Sequence, residues 1–248
     1  MTAGPGNALV TGGSHGIGAA VTARLVAGGW DVADLDRDPA PHGDAVIRLV
    51  CDVSDEQQVV RAVAEARDRL GPIGMAVLNA GTGGSSPIVD MTAAEWDRVQ
   101  SVNARGTFLC LREVARTMVA DATAGAIVVV TSISADQAER TMAHYAASKA
   151  AANALVRTAA RELGAHGIRV NAVAPGTTDT PLFAMTDRLP GYRERVAGRS
   201  ALGGVGSADD VADAVLAVAG TTWVTGQVLA ADGGLSRWSP IDPLEGLD

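Results

Sequence analysis

Tyr145 and Lys149 stand four residues apart in the run His144-Tyr145-Ala146-Ala147-Ser148-Lys149, which opens an alanine-rich stretch of helical character. On a helix that spacing puts both side chains on one face. A phenol with a pKa of about 10 is a poor base near neutrality, but an adjacent ammonium favours its phenolate, so the pair is suited to exchanging a proton. The same spacing also arises by chance, with a packed tyrosine beside a solvated lysine. Ser132 tips the balance: it ends a valine-rich run thirteen residues earlier, where an α/β sheet delivers side chains to its carboxyl edge. From there its hydroxyl can bond the oxygen of a reacting group.

A second constellation lies near the start of the chain. Thr11-Gly12-Gly13-Ser14-His15-Gly16-Ile17-Gly18 separates a short apolar run from a helical pattern. Glycines there allow a tight turn and a close approach of backbone to a pyrophosphate, with helix-terminal amides facing the anion. Glycine turns also serve as plain connections, but here strand, turn and helix agree. Asp36 follows about twenty residues later at the end of the second apolar run, where a carboxylate can accept both adenosine-ribose hydroxyls and repel a 2′-phosphate. This favours NAD. Arg37 is the counter-signal, since a guanidinium can grip such a phosphate; its alternative is a solvated charge in Asp34-Leu35-Asp36-Arg37-Asp38.

The elements that must hold these groups follow from periodicity. Apolar runs at Asn7–Thr11, Asp31–Leu35, Val46–Cys51, Met75–Asn79, Ala126–Thr131, Arg169–Val173 and Gln227–Ala231 read as seven strands. Helical spacing marks Ile17–Ala27, Glu56–Leu70, Ala93–Val99, Ala104–Ala120, Ala146–Leu163 and Ala208–Ala219. Alternation of strand and helix along the chain, with runs such as Ile127-Val128-Val129-Val130 that lack a polar face, predicts a doubly wound seven-stranded parallel sheet with helices on both faces, a Rossmann fold. The 248 residues form one dinucleotide-binding and catalytic domain on this reading. Residues 181–206 are a strandless stretch with the character of a substrate lid, and 235–248 a C-terminal tail.

Composition narrows the partners. Aromatics make up 3% of the chain, the net charge is −8, and basic residues are not clustered, which argues against nucleic acid. No apolar stretch is long enough to span a bilayer and no leader pattern opens the chain, so a cytoplasmic location is expected. Cys51 and Cys110 read as buried thiols, and nothing suggests a metal site.

Taken together these segments resemble the short-chain dehydrogenase/reductase family, in its single-domain branch, over nearly the whole chain. The resemblance implies that Thr11 to Gly18 forms the cofactor turn, that Asp52-Val53 lie beside the adenine, and that Asn79-Ala80-Gly81 steady the sheet near the cofactor. It makes Asn103, in Val102-Asn103-Ala104-Arg105-Gly106, the holder of a water linking Lys149 to a proton relay; as an ordinary residue it would be a helix N-cap. Pro175-Gly176 run along the nicotinamide, with Thr178 and Thr180 bonding its ribose or carboxamide region. Tyr145 then moves the alcohol or ketone proton while hydride moves to or from NAD, Ser132 polarises, and Lys149 tunes. His15 stands where many NADP-dependent members carry Arg, which sharpens the expectation of NAD. The family also implies a homotetramer, with a dimer as the alternative, built on Ala104–Ala120 and Ala146–Leu163.

Substrate identity is less legible. Contacts are expected from Ser134 to His144, from the lid and from the tail. Arg140, Arg188 and Arg195 could pair with a substrate carboxylate or be solvated; His144 packs or faces solvent; Met142 and Met185 line the pocket. Two enzyme readings stand, a dehydrogenase of small secondary alcohols or ketones and an aromatising dehydrogenase of a dihydrodiol carboxylate, as in making 2,3-dihydroxybenzoate. A cofactor-binding regulator without turnover is the reading from another class.

Overall fold

The short apolar runs become strands because each is buried on two faces. In the computed structural model, which describes residues 6–40, 46–185 and 189–238, β1 (Asn7–Thr11), β2 (Asp31–Asp36), β3 (Val46–Val50), β4 (Ile73–Leu78), β5 (Gly125–Val130), β6 (Ile168–Pro175) and β9 (Val228–Ala231) form one parallel sheet. The strand order is β3-β2-β1-β4-β5-β6-β9. Alternate side chains along a strand enter different cores. Ile127 and Val129 pack with α2 (Glu56–Leu70), α4 (Thr107–Ala120) and α5 (Ala143–Leu163), while Ala126, Val128 and Val130 pack with α1 (Gly16–Ala27) and α7 (Ala208–Gly220). The valine run predicted to lack a polar face is thus shared between two helix layers.

Helix ends are set locally. Asp55 caps α2 by accepting from the Gln57 and Gln58 amides, Thr92 caps α3 (Ala93–Gln100) through the Glu95 amide, and Ser207 with Asp210 forms a capping box on α7. On the outer layer the Arg24 guanidinium joins α1 to α7 through Asp213, at 2.6 Å, and Asp209.

Two expectations need correction. The stretch from Thr180 to Gly206 contains α6 (Tyr192–Arg199) and ends on β8 (Gly206–Ser207), which pairs in parallel with β7 (Thr178–Asp179). Two-residue strands carry no periodicity, and α6 buries Val196 alone, so neither had a sequence signature. Asn103 is not an N-cap either: α3 runs into α4 through a π-helical turn, Ser101–Gly106, so no helix begins at that point. Among the described residues no helix is long and apolar enough to cross a membrane.

The lower edge of the sheet is closed by a glycine. A Cβ on Gly125 would lie 2.1 Å from the Gly74 carbonyl oxygen of β4, a contact that backbone must move to relieve. Gly125→Ala is expected to lower stability by about 3 kcal/mol, an overpacking cost, seen as an earlier midpoint in denaturant with unchanged slope.

Candidate active site

The sheet order reverses between β1 and β4: β1 connects onward to β2 and β3 on one side, and β4 to β5 and β6 on the other. A crevice opens at the carboxyl ends of such a pair. The Thr11 hydroxyl bridges it, accepting from the amides of Asn79 at 3.0 Å and Ala80 at 3.1 Å, and the Asn79 side-chain amide donates to the Gly12 carbonyl at 2.9 Å. The glycine turn is thereby tied to the exit of β4. Gly12 and Gly16 have φ of 65° and 53°, and a Cβ on Gly18 would sit 1.9 Å from the Gly12 oxygen, so the turn leaves no room for side chains there.

Beneath the turn lies Asp34, fully buried in β2. Its carboxylate accepts from the Gly13 amide at 2.8 Å and the Ser14 hydroxyl at 2.6 Å. The Ser14 hydroxyl in turn accepts from the Ala40 amide at 2.8 Å, so this side chain braces the turn instead of reaching a ligand. Period-two spacing places Asp34 on the same strand face as Asp36, but a carboxylate in a central strand gives no sequence hint of what it supports. Asp36, at the strand end, accepts from the Ser14 amide at 3.3 Å and the Asp38 amide at 2.9 Å. His15 Nδ1 stands 3.9 Å from its carboxylate, and exposed Arg37 pairs with Asp38 at 3.2 Å. His15, the N-cap of α1, makes no capping bond and the first turn of that helix carries no acid, so its amides stay open to an anion. These features fit a dinucleotide. Asp52 Oδ1 accepts from the Ser54 amide and hydroxyl, and Val53 packs beneath Gly106, where a Cβ would meet it at 2.9 Å.

On the other side of the crevice the chemical groups converge. A Cβ on Gly81 would lie 3.4 Å from both Lys149 Nζ and Asn103 Oδ1. Asn103 is buried, accepts from the Thr82 amide at 2.8 Å, and donates to the Thr82 carbonyl at 2.9 Å and to the Ser148 hydroxyl at 3.0 Å. Lys149 donates to the Val130 carbonyl at 3.0 Å and stands 5.7 Å from the centre of the Tyr145 ring. Burial pulls its ammonium down to about 8. Tyr145 differs from expectation: burial pushes its phenol up, the Ser132 hydrogen bond works against this, and Glu139 adds to the rise. At this separation the charge of Lys149 does not offset the desolvation of the phenol.

Thr178 donates to the Gly176 carbonyl at 3.0 Å and Thr180 to the Thr178 carbonyl at 3.3 Å, and Thr180 closes against Gly16, where a Cβ would meet it at 3.3 Å. The predicted cofactor segments therefore meet. The tail begins against α6, with the Arg199 guanidinium 4.6 Å from the Trp238 ring; residues 239–248 and Arg188 lie outside the described residues, as does the side chain of Met185. Met142 is half-buried, Arg140 and Arg195 are exposed, and Pro175 is buried beside Gly176. Both cysteines are buried free thiols, and among the described residues no cluster of metal-ligating side chains occurs.

Besides the bracing role of Asp34, sequence reasoning missed two further carboxylates. Glu139 accepts from the Ser134 hydroxyl at 2.7 Å, and Ser134 accepts from Ser132 at 3.1 Å. Glu95 lies 3.3 Å from Nε2 of the fully buried His144 and grips Arg98 at 2.8 Å. A Cβ on Gly84 would fall 2.2 Å from Glu95 Oε1 and 2.8 Å from that imidazole, so this cluster is fitted against the loop after β4.

Comparison places the chain among known proteins. The family model described as enoyl-(acyl carrier protein) reductase matches residues 12–236. A short-chain dehydrogenase/reductase of Armillaria gallica is 36% identical over 247 residues, covering 92% of this chain and 95% of its own. The cis-4-hydroxycyclohexanecarboxylate dehydrogenase of Sinomonas cyclohexanicum is 39% identical over 244 residues, covering 92% and 95%. Among solved structures, the 3-ketoacyl-(acyl-carrier-protein) reductase of Brucella melitensis complexed with NADH superposes with a TM-score of 0.86 at 29% identity, covering 94% of this chain and 99% of that one.

The Glu95 cluster makes stability depend on acid. Its carboxyl is held down from 4.5 to about 2, first by the Arg98 hydrogen bond and also by His144. A carboxyl lowered on folding stabilises fully above its unfolded value and loses that contribution as pH falls through the folded one. The thermal midpoint should decline between about pH 4.5 and 2, and Glu95→Gln should flatten that part of the curve relative to wild type.

Proposed function

The chain belongs to the short-chain dehydrogenase/reductase family, and on that premise we propose that it interconverts a small secondary alcohol and its ketone with NAD as hydride carrier. The carrying observation is the convergence of Ser132, Tyr145, Lys149 and Asn103 at the carboxyl edge of the sheet, beside a glycine turn backed by Asp36. When bound, the dinucleotide supplies the site that accepts or returns hydride.

The residues that would hold it are the turn Gly12, Ser14, His15, Gly16, Ile17 and Gly18 through their backbone, Asp36 at the ribose, Asp52 and Val53 at the adenine, Asn79 to Gly81 along the floor, and Pro175, Gly176, Thr178 and Thr180 at the nicotinamide end. Tyr145 takes the proton of the alcohol oxygen during oxidation and returns it during reduction. Ser132 bonds the same oxygen, so that little charge builds on it. Lys149, anchored on the Val130 carbonyl with Tyr145 and Asn103 close by, positions the cofactor and tunes the phenol with its charge. The intact proton-transfer set speaks against a regulator without turnover.

NAD is favoured over NADP because the ribose end presents Asp36 with Asp38 nearby, while Arg37 is turned to Asp38. A 2′-phosphate would meet like charge there. Residues 181–206 act as the lid. Assembly as a homotetramer is supported by the outer faces of α4 and α5, where Phe108 and the alanines 147, 150, 151 and 154 are exposed.

Tyr145→Phe should lower kcat by about 10²- to 10⁴-fold, the usual worth of a positioned proton donor, with cofactor affinity retained; equal turnover would exclude the assigned role. Wild type should favour NAD over NADP by tenfold or more in kcat/KM, and Asp36→Ser should erase most of that preference. A wild-type preference for NADP would remove Asp36 from the ribose.

A further inference from the structure

The role of Glu139 follows from where its charge is held. It stands between the short 3-10 turn Ile133–Ala135 and α5, and its Oε2 accepts from the Ser134 hydroxyl at 2.7 Å, the length of a charge-assisted bond. Ser134 is buried, and its hydroxyl accepts from Ser132 at 3.1 Å while its amide donates to Ser132 Oγ at 3.1 Å. A carboxylate is therefore fixed, by one buried hydroxyl, to the serine that would bond the reacting oxygen. Its own side chain remains open to solvent. Two bonded hydroxyls, Ser134 and Ser132, thus separate it from the oxygen that would react, and its charge adds to the rise that burial produces in the phenols of Tyr145 on α5 and Tyr192 on α6.

Among the described residues no Lys, Arg or His is paired with it, and its bond runs to the Ser134 hydroxyl. Arg140 is adjacent in sequence but exposed, with no bond to Glu139. Arg195, three residues on from Tyr192 in α6, is held by the Pro190 carbonyl at 3.0 Å with its guanidinium 5.9 Å from the Tyr192 ring centre. The crevice beside Tyr145 thus presents a fixed negative charge that can accept hydrogen bonds. A substrate carboxylate placed there would be repelled by like charge, whereas a hydroxyl would find an acceptor.

Resting on the alcohol dehydrogenase reading above, we infer that Glu139 sets substrate class: it selects alcohols and ketones that carry a second hydroxyl near the reacting carbon and excludes those that carry a carboxylate there. This separates the chain from its 39% identical relative named for a hydroxycyclohexanecarboxylate, and from the dihydrodiol carboxylate reading.

The test uses ratios of kcat/KM within each enzyme, so that any general effect of a substitution on turnover cancels. Wild type, Glu139→Gln and Glu139→Asp are assayed with NAD and four probes: trans-1,2-cyclohexanediol, cyclohexanol, 3-hydroxycyclohexanecarboxylate and its carboxamide. Wild type should prefer the carboxamide to the carboxylate at least thirtyfold and the diol to cyclohexanol at least tenfold. Glu139→Gln should shrink the first ratio by tenfold or more, and Glu139→Asp, which keeps the charge, should retain most of it. A structural role would shift all probes together and leave the ratios alone. The inference fails if wild type accepts the carboxylate as well as the carboxamide, or if Glu139→Gln leaves both ratios within twofold. If Glu139→Gln shows no turnover, the retained or lost discrimination of wild type and Glu139→Asp decides. Absence of turnover by wild type with every probe and with either NAD or NADP would instead overturn the dehydrogenase reading, and this inference with it.

Discussion

The junction of β1 and β4 is the contact on which the site depends. Both strands leave the sheet at one point and turn away from each other, and the Thr11 hydroxyl with the Asn79 amide holds their exits together. Because a Cβ on Gly18 would overlap the Gly12 carbonyl, the first helix starts almost in contact with the strand that precedes it. Everything on the cofactor side is positioned from that pinch: the turn, the open amides of α1 and, through Asp34 and Ser14, the segment that follows Asp36. On the opposite side Gly81, next after the Asn79-Ala80 pair, lets Lys149 and Asn103 approach the same floor. One close approach of backbone thus brings two distant stretches of sequence into a single crevice.

The strength of this arrangement comes from polar groups that are buried but answered. Asp34, Asn103 and Lys149 are each withdrawn from water, and each is held by backbone amides, carbonyls or hydroxyls within the sheet and its loops. An unanswered group in such a place would cost more than a lost hydrogen bond. Satisfied, it admits few alternative geometries, which is what a site that must align two reactants needs. The residual imbalance is useful too. Burial draws the lysine down and pushes the tyrosine up, which parts two proton affinities that lie close in water and keeps the proton on the phenol, ready to be given to a ketone oxygen.

What was legible in the chain divides along physical lines. Strands buried on both faces leave continuous apolar runs, and Asn7–Thr11 and Glu56–Leu70 fall where periodicity placed them. The candidate groups that the motifs named do meet in one crevice. What periodicity could not show is contact between elements distant in sequence. Nothing in the text of the chain says that Glu139 is bonded to Ser134, that Glu95 reaches His144, or that Asp34 braces a turn twenty residues away. Nor does it show that Asn103 sits in a π-helical turn, because an inserted residue in a helix shifts hydrogen bonds without changing composition. The lid was opaque for a simpler reason: its helix buries one residue, and its strands are two residues long.

The bare start of α1 has a wider meaning. The helices α2, α3 and α7 close their first turn with their own side chains, through Asp55, Thr92 and Ser207, but α1 leaves that task undone. An anion seated there would become a structural part of the helix, completing bonds that the polypeptide omits. Occupancy and integrity are then linked by mass action, and the working stability of the protein follows the supply of dinucleotide around it. A cell that depletes that supply would shorten the lifetime of the protein as well as slow its chemistry, so that abundance and nucleotide status rise and fall together.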